Sequence, residues 1–593
     1  MSKRKSCGLV CLALAVLMSM ATGCRKVLEY PPDVYSDIYS DVEIIGDTTP
    51  GPDEDSGPES EGYDDSWSST PGNGNGVLVD DVIFDDDDFR TEEEELLNLG
   101  RDIAGGKAFS VRAFGAKGDG QTDDSTAVNK AIATACSYTK KNYGKVAEVR
   151  FEANTEYVLK TCAVGSANLM QISGAQNVSL IGNNTTVIGL PDKGYLSVIQ
   201  SENIVVKGFN FNYDTPVACV ATAEKCEGSR VTFRVPAWFA ECARKTPEYT
   251  RDAFALKANG LRGQIPCTTA TALDDTHVEI AMSGAQEVGP VWYLPTPGYS
   301  HSGVAFQVLH NTGEVTYEDI RIWNASMFVF QVNGNFGKLH WNNVKLEPKD
   351  ADACPTVAWR DVVHAKDNRE SLHFDRCVFG GSHDDIFNIA NTLAQITEIG
   401  EENDLKIVGL DYAGGGFARI EEGDTAVILN PDEGIRCGEA KVVEVISQTT
   451  SSIRVRLDKS FDLDGGEYLY FKEMASPKTT ITNCRLDGTF RIRAQATIEK
   501  CTLNVLQMWT HYSGLTSEVE GPIPENITYR NCSFTHPTGT SNVFDFNCET
   551  KSGAVANFTV SSILFDGCTF QDDRMIREQP GVVLKDPKYL HIL

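Results

Sequence analysis

Residues 380–391, GGSHDDIFNIAN, set two adjacent carboxylates, Asp384 and Asp385, at the head of a run that otherwise reads as a buried β-strand. Ionised carboxylates are hard to bury without partners and Asp is poor in strands, so the pair calls for a chemical reason. A third acid, Asp361, lies 23 residues before Asp384. Such a set suits cleavage of a glycosidic bond, which takes one protonated acid for the leaving oxygen and one or two carboxylates to activate water. Clustered acids repel, which favours one of them keeping a proton. His364 and His383 lie close to the acids in sequence, where an imidazole can bind a sugar hydroxyl or tune a carboxylate. Further on, TFRIRAQA carries Arg491 and Arg493, and LQMWTHYSG carries Trp509, His511 and Tyr512. Guanidinium forks suit sugar hydroxyls and aromatic faces suit the apolar side of a sugar ring, although Trp509 reads equally well as core packing. The acids lack the clustered oxygen ligands of a calcium or magnesium loop and no His/Cys set has zinc spacing, so neither metal nor cofactor is expected.

A loose repeat positions these residues. NVSLIGNN, NIVVKGFNF, VTYEDIRI and LHWNNVKL each alternate apolar and polar residues and then turn at Asn, Asp or Gly. Ile322 and Leu346 are 24 residues apart, and Phe379 follows Leu346 by 33. Imperfect repeats of this size mark a β-solenoid, whose coils stack strand on strand about 4.8 Å apart. Asp361 then stands close to one coil before the pair, a few ångströms to under ten from it. Inverting glycosidases keep roughly 6.5 to 9.5 Å between such groups. Adjacent strand residues face opposite ways, so Asp384 and Asp385 can share a water only where the chain bends, and GGSH makes a bend there. Asp and Asn also populate β-helix turns with no chemistry; the one-coil spacing and a flanking insertion favour the catalytic reading.

VRAFGAKGDGQTDDSTAVNKAIATAC, 111–136, reads as a strand, a Gly-rich turn and an amphipathic helix capped by Asp123, Asp124 and Ser125, suited to closing the end of the solenoid. It lacks the glycine spacing and the Lys followed by Ser or Thr of a phosphate loop. Two stretches, about 215–298 and 392–476, break the repeat with patterns such as AKVVEVISQTTSSIRVRL and read as antiparallel β insertions walling a cleft. The expected fold is therefore all-β: a parallel β-helix over 105–593 with two inserted antiparallel β-barrel-like modules and a short N-terminal capping helix.

The 593 residues carry a net charge of −30, concentrated partly in an acidic, Pro-, Gly- and Ser-rich segment from 25 to 104 that reads as a disordered linker. That charge argues against nucleic acid and polyanionic substrates. Five of the 17 cysteines recur in one pattern, ITNCRL, IEKCTL, YRNCSF, FDGCTF and FDRCVF, which reads as a structural slot for a compact buried side chain rather than a disulfide framework. The N-terminal 24 residues have a basic start, an apolar run and a small-residue site, as in a secretory signal, and are too short for a membrane span. Their ATGC ending resembles the lipobox of bacterial lipoproteins, which implies a lipid on Cys24, export, and anchorage to a bacterial, outer-type membrane on its periplasmic or outer face.

The 111–136 opening resembles that of pectin-degrading and tailspike-like right-handed parallel β-helix proteins. From Val111 to about Phe570 the chain resembles glycoside hydrolase family 110, exo-acting α-1,3-galactosidases. The likeness is carried by Asp361 with His364, Cys377 with Phe379, and Asp384, Asp385, Asn388 and Ile389 ahead of a barrel insertion. It implies a right-handed β-helix, an inverting release of terminal α-linked galactose, Asp361 as general acid, and Asp384 with Asp385 as the water-activating pair. His364, His383, Asn388, Arg491, Arg493 and Trp509 are the expected glycan contacts. The chain departs from the family pattern at His383 and at the AN step after Ile389, which bears on the substrate more than on the reaction. A polygalacturonase-like hydrolase would carry Gly-His-Gly and Arg-Ile-Lys elements, which this chain lacks. A lyase would need a cationic base and calcium, and a non-catalytic surface glycan-binding protein could keep the fold alone.

Overall fold

The computed structural model describes residues from 93 to 591, the longer internal stretches outside that description being 258–264, 299–302, 351–355, 410–419, 505–519, 537–547, 550–554, 557–560 and 577–580. Cys24, Trp509, His511, Tyr512 and most of the acidic segment lie outside the described residues. The described residues include 93–104, the last part of the expected linker. Residues 93–98 are helical, and Arg101–Ile103 pairs antiparallel with Gly106–Ser110.

The body is a parallel β-helix. One sheet of 21 strands forms its long wall, and a second parallel sheet runs Asn168–Ser173, Gly194–Ile199, Phe306–Leu309, Phe330–Asn333, Val363–Lys366, Asp385–Thr392 and Thr489–Ile492. In that second sheet Phe306, Phe330, Val363, Phe387 and Phe490 occupy one file in register and are buried in the core. The file beside it, facing the other way, is polar: Gln307, Gln331, His364, Asn388 and Arg491. A side-chain period of two fixes this division along each strand, and parallel register repeats it from coil to coil. Three of the candidates, His364, Asn388 and Arg491, thus share one face.

The long wall bends at one residue per coil. Asp319, Asn343, Arg376, Asn483, Lys500 and Asn531 all have φ between 51° and 56°, the left-handed corner that Asn and Asp tolerate best. Behind that corner stand Cys377, Cys484, Cys501, Cys532 and Cys568, each at most 3% exposed. The Cys377 amide donates to the Cys484 sulfur at 3.3 Å and the Cys484 amide to the Cys501 sulfur at 3.4 Å. The recurring cysteine slot is thus a stacked, sulfur-capped file. A second stack went unread in the sequence: Asn311 Nδ2 donates to Asn335 Oδ1 at 2.9 Å and Asn335 Nδ2 to Asn368 Oδ1 at 2.8 Å, all buried. Buried amides tolerate such a place only when each is satisfied, which the ladder ensures.

The N-terminal helix, Ser125–Lys141, lays Val128, Ala131, Ile132 and Ala135 on the core at helical spacing. Its capping is met in part, Asp123 Oδ1 accepting the Ser125 amide at 3.1 Å. Asp124 is the N-cap residue but makes no side-chain cap bond; its carboxylate instead accepts the amides of Lys117 at 2.6 Å and Gly118 at 3.0 Å, pinning the Gly-rich turn. The two insertions are closed six-stranded antiparallel barrels, over 218–295 and 394–471. Each has its own apolar core, so each leaves the solenoid and returns to it without breaking the stack.

Candidate active site

The two coils that carry the acids are offset by 24 residues, Val363 pairing with Phe387 and His364 with Asn388. That register places Asp361 opposite Asp385, one residue later than the 23-residue spacing to Asp384 suggests. The Val362 amide donates to the Asp385 carbonyl at 2.8 Å, locking the two coils together at the site. Before the pair, the GGSH turn is stapled to the previous coil. Ser382 Oγ donates to the Arg360 carbonyl at 2.7 Å, the Asp384 amide donates to Ser382 Oγ at 3.2 Å, and the His383 amide donates to the Ala358 carbonyl at 3.2 Å. Against the next coil the strand bulges, because Asp385 pairs with Thr489 and Phe387 with Phe490, leaving Ile386 as an extra residue. Gly488, at φ 151°, makes room: a Cβ there would lie 2.7 Å from Ile386 Cγ1. The bend that the sequence required is this turn and bulge together, with Asp384 on the turn and Asp385 opening the strand.

The three carboxylates converge. Each of Asp361, Asp384 and Asp385 offers an oxygen within 4.8 Å of the others. That lies within the few-ångström range expected of adjacent coils. Each acid has its own partner. Arg360 Nη1 donates to Asp384 Oδ2 at 3.2 Å, Arg491 Nε lies 3.0 Å from Asp385 Oδ2, and His364 Nδ1 lies 2.7 Å from Asp361 Oδ2. Exposure separates them: the Asp384 side chain is 19% exposed, against 5% for Asp361 and 1% for Asp385. Solvent and ligand therefore meet the cluster first at Asp384.

Both barrels brace this cluster. His383 is held between rings, 4.9 Å from Trp359 and 5.7 Å from Tyr293 of the first barrel, and its Nε2 shares a 2.8 Å hydrogen bond with Thr356 Oγ1. Burial pushes the His383 imidazole down to about 3, the neighbouring Asp384 charge pulling the other way. Phe254 of the same barrel packs edge-on against Trp359 at 5.2 Å and under the Arg360 guanidinium at 5.3 Å. On the other side, the strand that begins at Asp385 runs into the second barrel. Asn391 Nδ2 donates to the Phe471 carbonyl at 2.7 Å, the Thr392 amide donates to Asp367 Oδ1 at 2.7 Å, and Arg369 pairs with Asp424. Of the expected glycan contacts, Arg491 lies beside Asp385, while Arg493 is fully buried with Nη1 donating to Asn388 Oδ1 at 3.0 Å. Arg491 is a counter-charge for Asp385, and Arg493 props the acid-bearing strand through Asn388.

Arg360, Trp359, Tyr293, Phe254 and Gly488 were not read from the sequence as site residues. Arg360 was the one with a signal, since a cation directly before an acid that faces a carboxylate pair on the next coil can turn to that pair. The rest depend on how the barrel docks, which no local pattern records. A hollow of about 530 Å³ lies elsewhere, at the foot of the first barrel between Asp214, Trp238, Glu241 and Gly298.

No family model matches the chain, and no curated protein sequence matches it. Among solved structures it is similar to an endo-xylogalacturonan hydrolase from Aspergillus tubingensis, at 9% identity and TM-score 0.31, over 80% of this chain and 91% of that one. It is also similar to a tailspike protein of the E. coli bacteriophage HK620 solved with a pentasaccharide, at 9% identity and TM-score 0.33, over 84% of this chain and 71% of the other. A similarity to ORF18 of Geobacillus virus E2, at 9% identity and TM-score 0.31, takes in 85% of this chain but 62% of the viral one, so the chain spans less than two thirds of that protein.

Proposed function

We propose that the protein is an exported glycoside hydrolase that releases terminal α-linked galactose from a glycan with inversion at the anomeric carbon. The observation that supports this most is the trio of carboxylates, each held by a different partner at the joint of two coils. Asp384 and Asp385 each face a guanidinium, whereas Asp361 faces an imidazole. Asp361 is thus the member best suited to carry a proton and give it to the leaving oxygen, while Asp384, with Asp385 behind it, takes a proton from the attacking water.

Screening terminal α-galactosides, with the product anomer followed by NMR, tests the reading. Free galactose appearing first as the β-anomer supports it; random internal cleavage or retained configuration contradicts it. A second reading has one observation in its favour: three carboxylates this close could also hold a divalent cation, as a uronate lyase would require. Unsaturated product, lost in chelator and restored by calcium, would select it. Anchorage through Cys24 belongs to the same proposal, and metabolic lipid labelling of wild type but not of Cys24→Ala is the expected outcome.

A further inference from the structure

We infer that His364 is a positioning residue that keeps its Nε2 for a hydroxyl of the bound sugar, and so selects a neutral glycone over a uronate. The inference rests on the glycosidase reading of the acid cluster and adds to it a residue that decides the substrate class. Asp361 Oδ2 lies 2.7 Å from His364 Nδ1. With the catalytic proton of Asp361 on Oδ1, Oδ2 is the accepting oxygen, so Nδ1 carries the hydrogen, and a neutral imidazole then presents Nε2 as a bare lone pair.

That lone pair is buried. The His364 side chain is 3% exposed, and Nε2 has no hydrogen-bond partner among the described residues. An unmet buried acceptor is destabilising, and such atoms in folded proteins usually have a reason. The ring is not free to exchange its nitrogens. It is set in register between Gln331 and Asn388 on the parallel sheet, and the Phe328 ring packs on it at 4.6 Å. Swapping the nitrogens would break the bond to Asp361.

The chemistry of the occupant follows. A bare nitrogen lone pair in a buried site accepts from an O–H, and the one that separates a neutral hexose from its uronate is the C6 hydroxyl, the ring hydroxyls being common to both. A uronate carboxylate at neutral pH has no proton to give and would meet this lone pair and three acids at once. In turnover the proton bound to Asp361 passes to the glycosidic oxygen as the C–O bond breaks. The carboxylate left behind keeps the Nδ1–H bond, and His364 neither gains nor loses a proton.

The full chain labelled with ¹⁵N-histidine allows a test that does not need turnover. Comparison with His364→Asn assigns the resonances. Expected at neutral pH is an Nδ1-protonated, Nε2-bare imidazole whose Nε2 shift moves on saturation with methyl α-galactoside and not with galacturonate. An Nε2-protonated ring or an imidazolium overturns the inference, as does a response to galacturonate or to neither sugar. Kinetics give a second reading. His364→Asn retains an N–H for Asp361, so kcat on an aryl galactoside should fall no more than several-fold while KM rises about tenfold or more. Equal loss in kcat and KM with a normal melt would overturn the hydroxyl contact. If no glycan is cut but the Nε2 shift responds to the neutral sugar alone, the hydrolase reading fails and the recognition role of His364 stands.

Discussion

Two edges of the same solenoid are built on opposite rules. On the long wall, successive coils repeat themselves: a cysteine at Cys377, Cys484, Cys501, Cys532 and Cys568, and a left-handed corner at Asn343, Arg376, Asn483, Lys500 and Asn531. On the site sheet, the outward file changes at each coil from Gln331 onward, to His364, Asn388 and Arg491. The position facing Asp361 is Asp385 in the next coil and Thr489 in the one after. In a stacked fold, identical neighbours satisfy each other and do little else. Where the repeat is broken and the new residues are buried charges, something other than stacking keeps them there. Substitutions on the two edges should accordingly fail in different ways.

The largest effect should come from the acids. Asp384→Asn and Asp385→Asn should each lower turnover on natural and aryl glycosides alike by about a hundredfold or more, and the double variant should be little worse than the poorer single one. Asp361→Asn should hurt natural substrates most, because their leaving alcohol needs a proton, and partly spare an aryl glycoside. All three should melt close to wild type, since an amide of the same shape relieves repulsion within the cluster. Normal turnover by these variants would reduce the Asp pair to turn residues and erase the contrast between the edges.

Next in size is Gly488→Ala, which touches no acid. A Cβ there would press 2.7 Å from Ile386 Cγ1, at a φ of 151° that a side chain rarely adopts. The bulge should shift, moving Asp385 off Arg491. We expect about a tenfold or greater loss of turnover together with about 1 to 3 kcal/mol of stability, read by kinetics and denaturant melts on the same sample.

How far the sequence carried depends on the same contrast. Period-two alternation and recurring turn residues made the β-helix legible, and the break in that repeat marked both barrels, because these are local signals. Asp361, Asp384 and Asp385 were legible because one coil of spacing is a local measure too. What stayed hidden depends on three-dimensional docking: Tyr293 and Phe254 reach the site from a barrel about a hundred residues away in sequence, and Arg360 turns to Asp384 across coils. The Asn311–Asn335–Asn368 ladder was missed because asparagines read as turn formers, and burial is what distinguishes a ladder from a turn.

On the long wall the expected failure is one of stability alone. Cys484 lies one coil beyond Cys377, and its sulfur accepts the Cys377 amide. Cys484→Ala strands that amide and leaves a small void, so about 1 to 2 kcal/mol of stability should be lost with kcat and KM unchanged. A fall in turnover at full folding would mean the stack reaches the acids and that the two edges are not separable.

The smallest effect at neutral pH concerns His383, which belongs to the site loop and is packed into it. Its imidazole is pushed down to about 3 from an ordinary 6.5, first by burial, with Asp384 opposing. The groups around it are Asp384 beside it, Arg360 paired with that acid, Thr356 as hydrogen-bond partner, and the Trp359 and Tyr293 rings. A folded value below the unfolded one means that the unfolded chain binds the extra proton first. The stability tied to a neutral His383 is therefore whole above pH 6.5 and drains away as pH falls toward 3. One proton corresponds to a slope of at most about 1.4 kcal/mol per pH unit across that window. His383→Gln, which can still reach Thr356, should melt somewhat lower than wild type at pH 8 and lose less between pH 6 and pH 4, so that the two curves converge on acidification. Parallel curves would show that the imidazole is solvated rather than clamped, and that the first barrel does not hold the acid-bearing turn in place.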